Sequence, residues 1–242
     1  MTNESAADLR FSEFTLVLPT LNEEKTIGKI ISYVNRNYKG MKVLVADDGS
    51  RDGTKKTVNK IGKRHNEIKF LDRKMKGSEK GLTASVIDGI MLSKTKYAIV
   101  MDADLQHPPE KIGDVAKKLS QGSDLVVAVR EEVGSWALYR KIISKSLICV
   151  GNLILLVGRK ATCNDIFSGF FGVDRKLFAE IYMNNKKRFV KNGYKVLFDF
   201  LKCNKKGKIK VSEVPYTFAT RKYGTSKAGI KQGIALFKSF AT

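Results

Sequence analysis

Thr15-Leu16-Val17-Leu18-Pro19-Thr20-Leu21-Asn22-Glu23-Glu24 passes from an unbroken apolar run into a polar turn. A short continuous apolar run ending at a proline is the pattern of a strand buried on both faces. Ile27, Ile30, Ile31, Val34 and Tyr38 then recur on one helical stripe. The spacing predicts a helix with Asn22 as N-cap and Glu23 and Glu24 in its acidic first turn. The same phrase repeats downstream. Val43-Leu44-Val45-Ala46 is a second strand ending at Asp47-Asp48-Gly49-Ser50, followed by a helix with Val58 and Ile61. Ile68 to Leu71 reads as a strand, Ala84, Ile87, Ile90 and Met91 as a helix, and Tyr97 to Met101 as a strand. Ile112, Val115, Ala116 and Leu119 mark the next helix, and Asp124 to Val129 the next strand.

Alternation of this kind through about residue 130 predicts an α/β fold, an open, mostly parallel central sheet with helices on both faces. Ligands of such sheets bind beyond the carboxyl ends of the strands. The polar clusters at 19–23, 47–50 and 102–104, and Arg130, fall at those ends. The first strand is not followed by Gly-x-Gly-x-x-Gly, which disfavours a dinucleotide fold, and there is no Walker-type lysine loop.

Beyond residue 130 the alternation fails. Trp136 to Val157 predicts one or two helices, basic at the start (Arg140, Lys141, Lys145) and apolar after. Phe167 to Val173 reads as a strand with close backbone approach at its glycines. Asp174 can cap a helix with Leu177, Phe178 and Ile181; Gly193 to Lys202 reads as a helix and Ile209 to Phe218 as a strand. A polar loop, Ala219 to Ser226, leads to an amphipathic helix with Ile230, Ile234, Leu236 and Phe237. The lysines at 186–187 and 205–210 read as solvated loops. The expected organisation is a tail, 1–13, and one domain, 14–242, whose halves divide at 130/131.

The 242 residues carry 43% hydrophobic and 29% charged residues, enough for a sizeable core. A net charge of +21 implies an anionic partner: nucleic acid, phosphorylated small molecules or an anionic membrane. No nucleic-acid motif or aromatic stacking platform accompanies the charge, so nucleic acid is not the expected partner. Cys149, Cys163 and Cys203 are scattered and lack metal spacing, so neither a disulfide nor a zinc site is expected. The N-terminus lacks the apolar core of a signal peptide. Leu147 to Gly158, flanked by Lys145, Arg159 and Lys160, falls short of the roughly 20 apolar residues of a membrane span. It is either a buried core helix or an interfacial helix with snorkelling basic flanks.

Val100-Met101-Asp102-Ala103-Asp104-Leu105-Gln106-His107-Pro108-Pro109 carries the chemistry. Asp102 and Asp104 project to one side of an extended chain. Two carboxylates so placed repel unless a cation lies between them, and hard oxygen donors suit Mg²⁺ or Mn²⁺. A solvated acidic turn is the plainer alternative, and the position after a buried strand weighs against it. Plainer readings exist elsewhere too: Asp48 and Ser50 as turn formers, Glu23 as a first-turn charge, and His107 packed on Pro108-Pro109. Arg140 can likewise sit in a salt bridge, and Ser168 and Gly169 can serve close approach alone.

The motifs at 18–24, 45–54 and 102–109 resemble those of the family 2 inverting glycosyltransferases. Arg140-Lys141-Ile142-Ile143-Ser144, Phe167-Ser168-Gly169-Phe170-Phe171 and Arg221-Lys222-Tyr223-Gly224-Thr225-Ser226-Lys227 are similar to those of its polyprenyl-phosphate mannose synthase branch. The resemblance runs from about Phe14 to the C-terminus. It implies an A-type nucleotide-sugar transferase fold with interfacial helices near the C-terminus. Pro19, Leu21, Glu23, Val45 and Asp47 would line the nucleotide pocket, with Asp47 reading the base. Asp102, Ala103, Asp104 and Gln106 would hold the diphosphate and its Mg²⁺ or Mn²⁺, with Asp104 and Gln106 the leading direct ligands. Arg130, Lys195, Arg221 and Lys227 would meet phosphates of donor or acceptor, and Arg130, Arg140 and Ser144 would receive the lipid phosphate. Asp102, Asp104 and Arg130 are the implied catalytic set.

The implied reaction moves mannose from GDP-mannose to dolichyl or polyprenyl phosphate. A UDP-glucose donor and a catalytically silent scaffold are the alternatives, and the intact Asp-x-Asp-x-Gln spacing argues against the scaffold. The implied partners are a membrane surface, at its cytoplasmic face (endoplasmic reticulum or prokaryotic plasma membrane), and, as in some relatives, a small membrane-anchoring subunit. Two stretches depart from the pattern: Leu21 stands where a tyrosine is frequent, and Lys80-Gly81-Leu82-Thr83-Ala84 replaces a more glycine-rich turn.

Overall fold

The computed structural model describes residues 9–74, 79–132, 138–191, 193, 195–204 and 209–219, with backbone alone at 132 and 138–140. Seven strands form one sheet in the order β3-β2-β1-β4-β6-β5-β7. They are β1 (Phe14–Thr20), β2 (Lys42–Asp47), β3 (Ile68–Asp72), β4 (Tyr97–Val100), β5 (Leu125–Glu132), β6 (Phe171–Asp174) and β7 (Val211–Thr217). The helices are α1 (Glu24–Asn37), α2 (Thr54–Gly62), α3 (Leu82–Leu92), α4 (Ile112–Ser120), α5 (Leu138–Val157), α6 (Arg175–Asn184) and α7 (Val196–Cys203).

Every residue of β1 is buried, as a central strand covered on both faces requires. Leu16 and Leu18 face a cluster with Ile27, Ile30 and Ile31 of α1 and Val115 and Leu119 of α4. Val17 faces the other layer, with Ile87 and Ile90 of α3, Phe178 of α6 and Phe198 of α7. Pro19 lies inside β1, in register with Ala46. The Val17 carbonyl accepts from the Met101 N–H on the β4 side. Two residues on, Pro19 faces that same side where β4 has already ended, so its missing N–H costs no ladder bond.

β6 is antiparallel to both β4 and β5, and the other pairings are parallel. The chain leaves β5 at the carboxyl rim, makes α5, and re-enters the sheet from that rim, so β6 must run backwards. The approach segment 164–170 is therefore set beside the carboxyl ends of the parallel strands. Phe167 to Phe170, read as strand from sequence, is turn and bend instead. The Ser168 hydroxyl closes that turn, donating to the Ala128 carbonyl and accepting from the Phe170 N–H.

Other expectations shift locally. Asn22 does not cap α1: Glu23 holds the cap position, and Asn22 has φ 57° with its Oδ1 accepting from the Arg51 N–H. Asp174 caps α6 through the Leu177 N–H, as expected. The 193–202 helix starts only at Val196, after Lys195. The 138–157 stretch is one helix. Trp136, the tail 1–8, lysines 205–208 and the 230–237 helix lie outside the described residues.

Candidate active site

Because β1, β2, β4 and β5 point the same way, their carboxyl ends share one rim, and the loops there knit together. The Asn22 N–H donates to Ser50 Oγ, the Glu23 N–H to Thr54 Oγ1 and the Glu24 N–H to Asp52 Oδ2. Pro19, Leu21, Glu23, Val45 and Asp47 are thereby gathered into one region. Asp47 is 3% exposed, and its carboxylate accepts from Thr20 Oγ1, Ser50 Oγ and the N–H groups of Gly49 and Ser50. Four bonds nearly fill a carboxylate's accepting capacity, so Asp47 is first of all the organiser of its own turn.

Asp48 is likewise an anchor. It pairs with Arg73, only 2% exposed, and its Oδ2 accepts from the Gly81 N–H. Arg73 also donates to Asp88, Ser85 Oγ and the Glu79 carbonyl. Spacing along the chain carried no signal for Arg73; an arginine directly after a strand end was the only hint.

The Asp-x-Asp run differs from its sequence reading. β4 ends at Val100, so Asp102 stands in irregular chain and Asp104 in a bend over residues 103–105, with Leu105 at φ 61°. Asp104 Oδ1 accepts from the Gln106 N–H at 3.0 Å, which tightens the turn. The Gln106 amide nitrogen donates to the Ala219 carbonyl at 3.1 Å, and the Ala219 N–H returns a bond to the Gln106 carbonyl. Ala103 is buried beneath the turn. Gly169 backs Asp102: a Cβ there would come within 2.5 Å of Asp102 Oδ2.

Hard oxygen donors from two carboxylates and an amide fit a divalent cation that draws its remaining ligands from a diphosphate and water. Among the described residues no three or more His, Cys, Asp or Glu form a fuller ligand group. A nucleotide-dependent metal is thus what this donor set suits, and a permanent protein-only cage is not.

Arg130 projects from β5 where the β5–β7 register shifts, between residues 130 and 132. Such bulges re-aim side chains at rims. Its guanidinium forks onto Asp165 at 2.7 and 2.9 Å and lies 5.5 Å over the Phe218 ring. Burial works against its charge, but Asp165 more than offsets this and holds its pKa above the usual value. Lys195, at the start of α7, sets its ammonium 4.2 Å over the Phe167 ring. Burial first, then the charge of Arg130, push its pKa down to about 7, against the pull of Asp165 and Asp102. Two acids and two bases thus share one patch. Asp165, absent from the sequence reading, aligns Arg130.

Ser144 lies on α5, away from that patch in sequence and half-buried. The Arg140 side chain, Arg221 and Lys227 lie outside the described residues. α5 exposes Ile142, Ile143, Val150, Leu153, Leu156 and Val157. No described helix is long and apolar enough to cross a membrane.

Residues 15–182 match the family model for glycosyl transferase family 2. The chain belongs to glycosyl transferase family 2. This family 2 chain is 34% identical over 220 residues to a dolichol-phosphate mannosyltransferase of Pyrococcus furiosus, covering 88% of the chain and 58% of that relative. It is 27% identical to the enzyme of that name from Mycosarcoma maydis, over 93% of the chain and 75% of the relative. With that from Saccharomyces cerevisiae it shares 26% identity, over 89% and 80%. Its fold is the A-type transferase fold. The glucosyl-3-phosphoglycerate synthase of Mycobacterium tuberculosis superposes with TM-score 0.71 in complex with phosphoglyceric acid, at 17% identity, over all of this chain and 85% of that one. With Mn²⁺, UDP-glucose and glycerol 3-phosphate bound to that synthase, the TM-score is 0.69 at 16% identity, over 100% and 83%.

Proposed function

We propose that this family 2 chain transfers mannose from GDP-mannose to the phosphate of dolichol or another polyprenol, giving a β-mannosyl phosphate lipid. One observation carries the reading. A rim with oxygen donors for a metal–diphosphate and paired cations for phosphates is followed directly in sequence by α5, a helix with exposed apolar side chains. That arrangement suits one water-soluble and one lipid substrate. The dolichol-phosphate mannosyltransferases to which the chain is similar name such an acceptor.

A phosphate monoester is already an anion at neutral pH, so the acceptor needs no strong base. An acceptor oxygen bonds to the anomeric carbon as the bond to GDP breaks, and GDP leaves with the electron pair from the opposite face. One such displacement inverts the centre. The chain's work is placement and neutralisation of charge. Arg130, aligned by Asp165, presents a rigid fork suited to phosphate, and Lys195 adds a point charge. Mg²⁺ or Mn²⁺ held by Asp102, Asp104 and Gln106 would supply Lewis-acid stabilisation of the departing diphosphate. Arg140, Ser144, Arg221 and Lys227 complete the phosphate contacts in this reading. The protein sits peripherally on a cytoplasmic membrane face, with α5 in the interface and a small anchoring subunit as a candidate partner.

Purified protein with polyprenyl phosphate in vesicles should form lipid-linked mannose from GDP-mannose, and far less product from UDP-glucose. Asp104→Ala and Gln106→Ala should each lower that rate about 100-fold or more, the scale of losing transition-state charge stabilisation. Product formation undiminished in both variants would rule the reading out.

A further inference from the structure

One oxygen of Asp102, Oδ2, lies 3.3 Å from Nε2 of His107. His107 is 4% exposed, and its Nδ1 lies 2.8 Å from the Tyr216 hydroxyl. The rings of Phe170, Tyr216 and Phe218 surround the imidazole at centroid distances of 5.7, 5.6 and 5.4 Å. A carboxylate only accepts, so Nε2 carries the hydrogen and Nδ1 accepts from the phenol. Burial pushes the Tyr216 phenol far above its ordinary range, which keeps it protonated and able to donate. The opposite tautomer would turn a ring lone pair toward the carboxylate. The Asp102 carboxylate thus sets the tautomer, the Tyr216 hydroxyl completes it by donating to Nδ1, His107 grips Oδ2, and the bare Cα of Gly169 leaves room for that same oxygen.

We propose that Tyr216 and His107 are positioning residues that set the orientation in which Asp102 meets the metal and the donor diphosphate. This role presupposes the metal–diphosphate reading of the 102–106 turn. It makes the exit of β7, an edge strand of the sheet, part of the donor site. Ala219, three residues beyond Tyr216, clasps Gln106 in the same way. A buried histidine serving packing alone would be indifferent to the Tyr216 hydroxyl except through overall stability.

The test is GDP binding by titration calorimetry, with and without Mn²⁺, on the full chain. Tyr216→Phe should weaken the Mn²⁺-dependent part of the affinity about tenfold, as loss of a metal site's outer hydrogen bonds does. GDP affinity without metal should not change, and the Mn²⁺ concentration for half-maximal transfer should rise in step. His107→Gln, whose amide nitrogen can stand where Nε2 stood, should retain most of the metal dependence. His107→Asn, too short to reach Asp102, should lose it, and this pair decides the matter should Tyr216→Phe fold poorly. A folded Tyr216→Phe that binds Mn²⁺ and GDP like the native chain overturns the role, as does an equal loss with and without metal. Absence of Mn²⁺-dependent GDP binding in the native chain would instead overturn the underlying site reading, and the positioning role with it.

Discussion

Lys195 shows how a single side chain's setting becomes a pH dependence. Its ordinary pKa of 10.5 falls to about 7 because burial and then Arg130 disfavour its charge, while Asp165 and Asp102 favour it. The unfolded chain binds one more proton here between pH 7 and 10, so this group makes stability rise with pH across that window. In the proposed function, where Lys195 meets a phosphate, a bound diphosphate would act oppositely and favour the ammonium. GDP binding in the presence of Mg²⁺ should therefore take up close to one proton at pH 8 and almost none at pH 6. Calorimetry in buffers of different ionisation enthalpy measures that uptake, and Lys195→Arg should abolish it. At this scale Asp47, Asp102 and Asp104 were legible as strand-end residues, because each follows an apolar strand at short spacing, whereas Gln106 entered only through the family resemblance. The sequence did not disclose what holds them. Tyr216 is 109 residues from His107, Asp165 is 35 from Arg130, and Arg73 is 25 from Asp48. No local pattern encodes such pairings.

Among elements, α3 illustrates packing that periodicity only partly foretells. Its apolar positions announce a helix, yet how closely it meets the sheet depends on Gly89. A Cβ there would stand 2.3 Å from Val17 Cγ1 in the middle of β1. Gly89→Ala should destabilise the chain by about 1–3 kcal/mol despite alanine's better helix propensity, as overpacking of a core contact does. Chemical denaturation reads this directly; a stabilised variant would refute the close contact. α3 is also capped from a distance, its Thr83 and Ala84 N–H groups donating to the carbonyls of Gly193 and Lys191. β6 carries the same lesson. Its residues look like strand from Phe167 onward, but pairing starts only at Phe171, because the Ser168 turn uses the backbone before it. Its reversed direction follows from the rim at which the chain re-enters.

For the molecule as a whole, a net charge of +21 and the exposed apolar side chains of α5 act together. Vesicles with anionic lipid should bind the protein, and binding should weaken as salt shortens the Debye length from about 10 Å at 0.1 M. Leu153→Ser with Leu156→Ser should reduce binding about tenfold at constant salt, since each leucine side chain is worth about 1.5–3 kcal/mol when fully buried and less at an interface. Co-sedimentation separates the two effects, and binding unaffected by the double substitution would remove α5 from the membrane contact. The alternating α/β order, the shared strand-end rim and the charge were determined by the sequence alone, because strand burial and helical stripes are local. Tertiary structure decided that Asp47 is spent on its own turn, that Arg130 is forked onto Asp165, and that Asp102 is held through His107 by β7. Those contacts join segments far apart in the chain, and only the sheet order brings them within hydrogen-bonding reach.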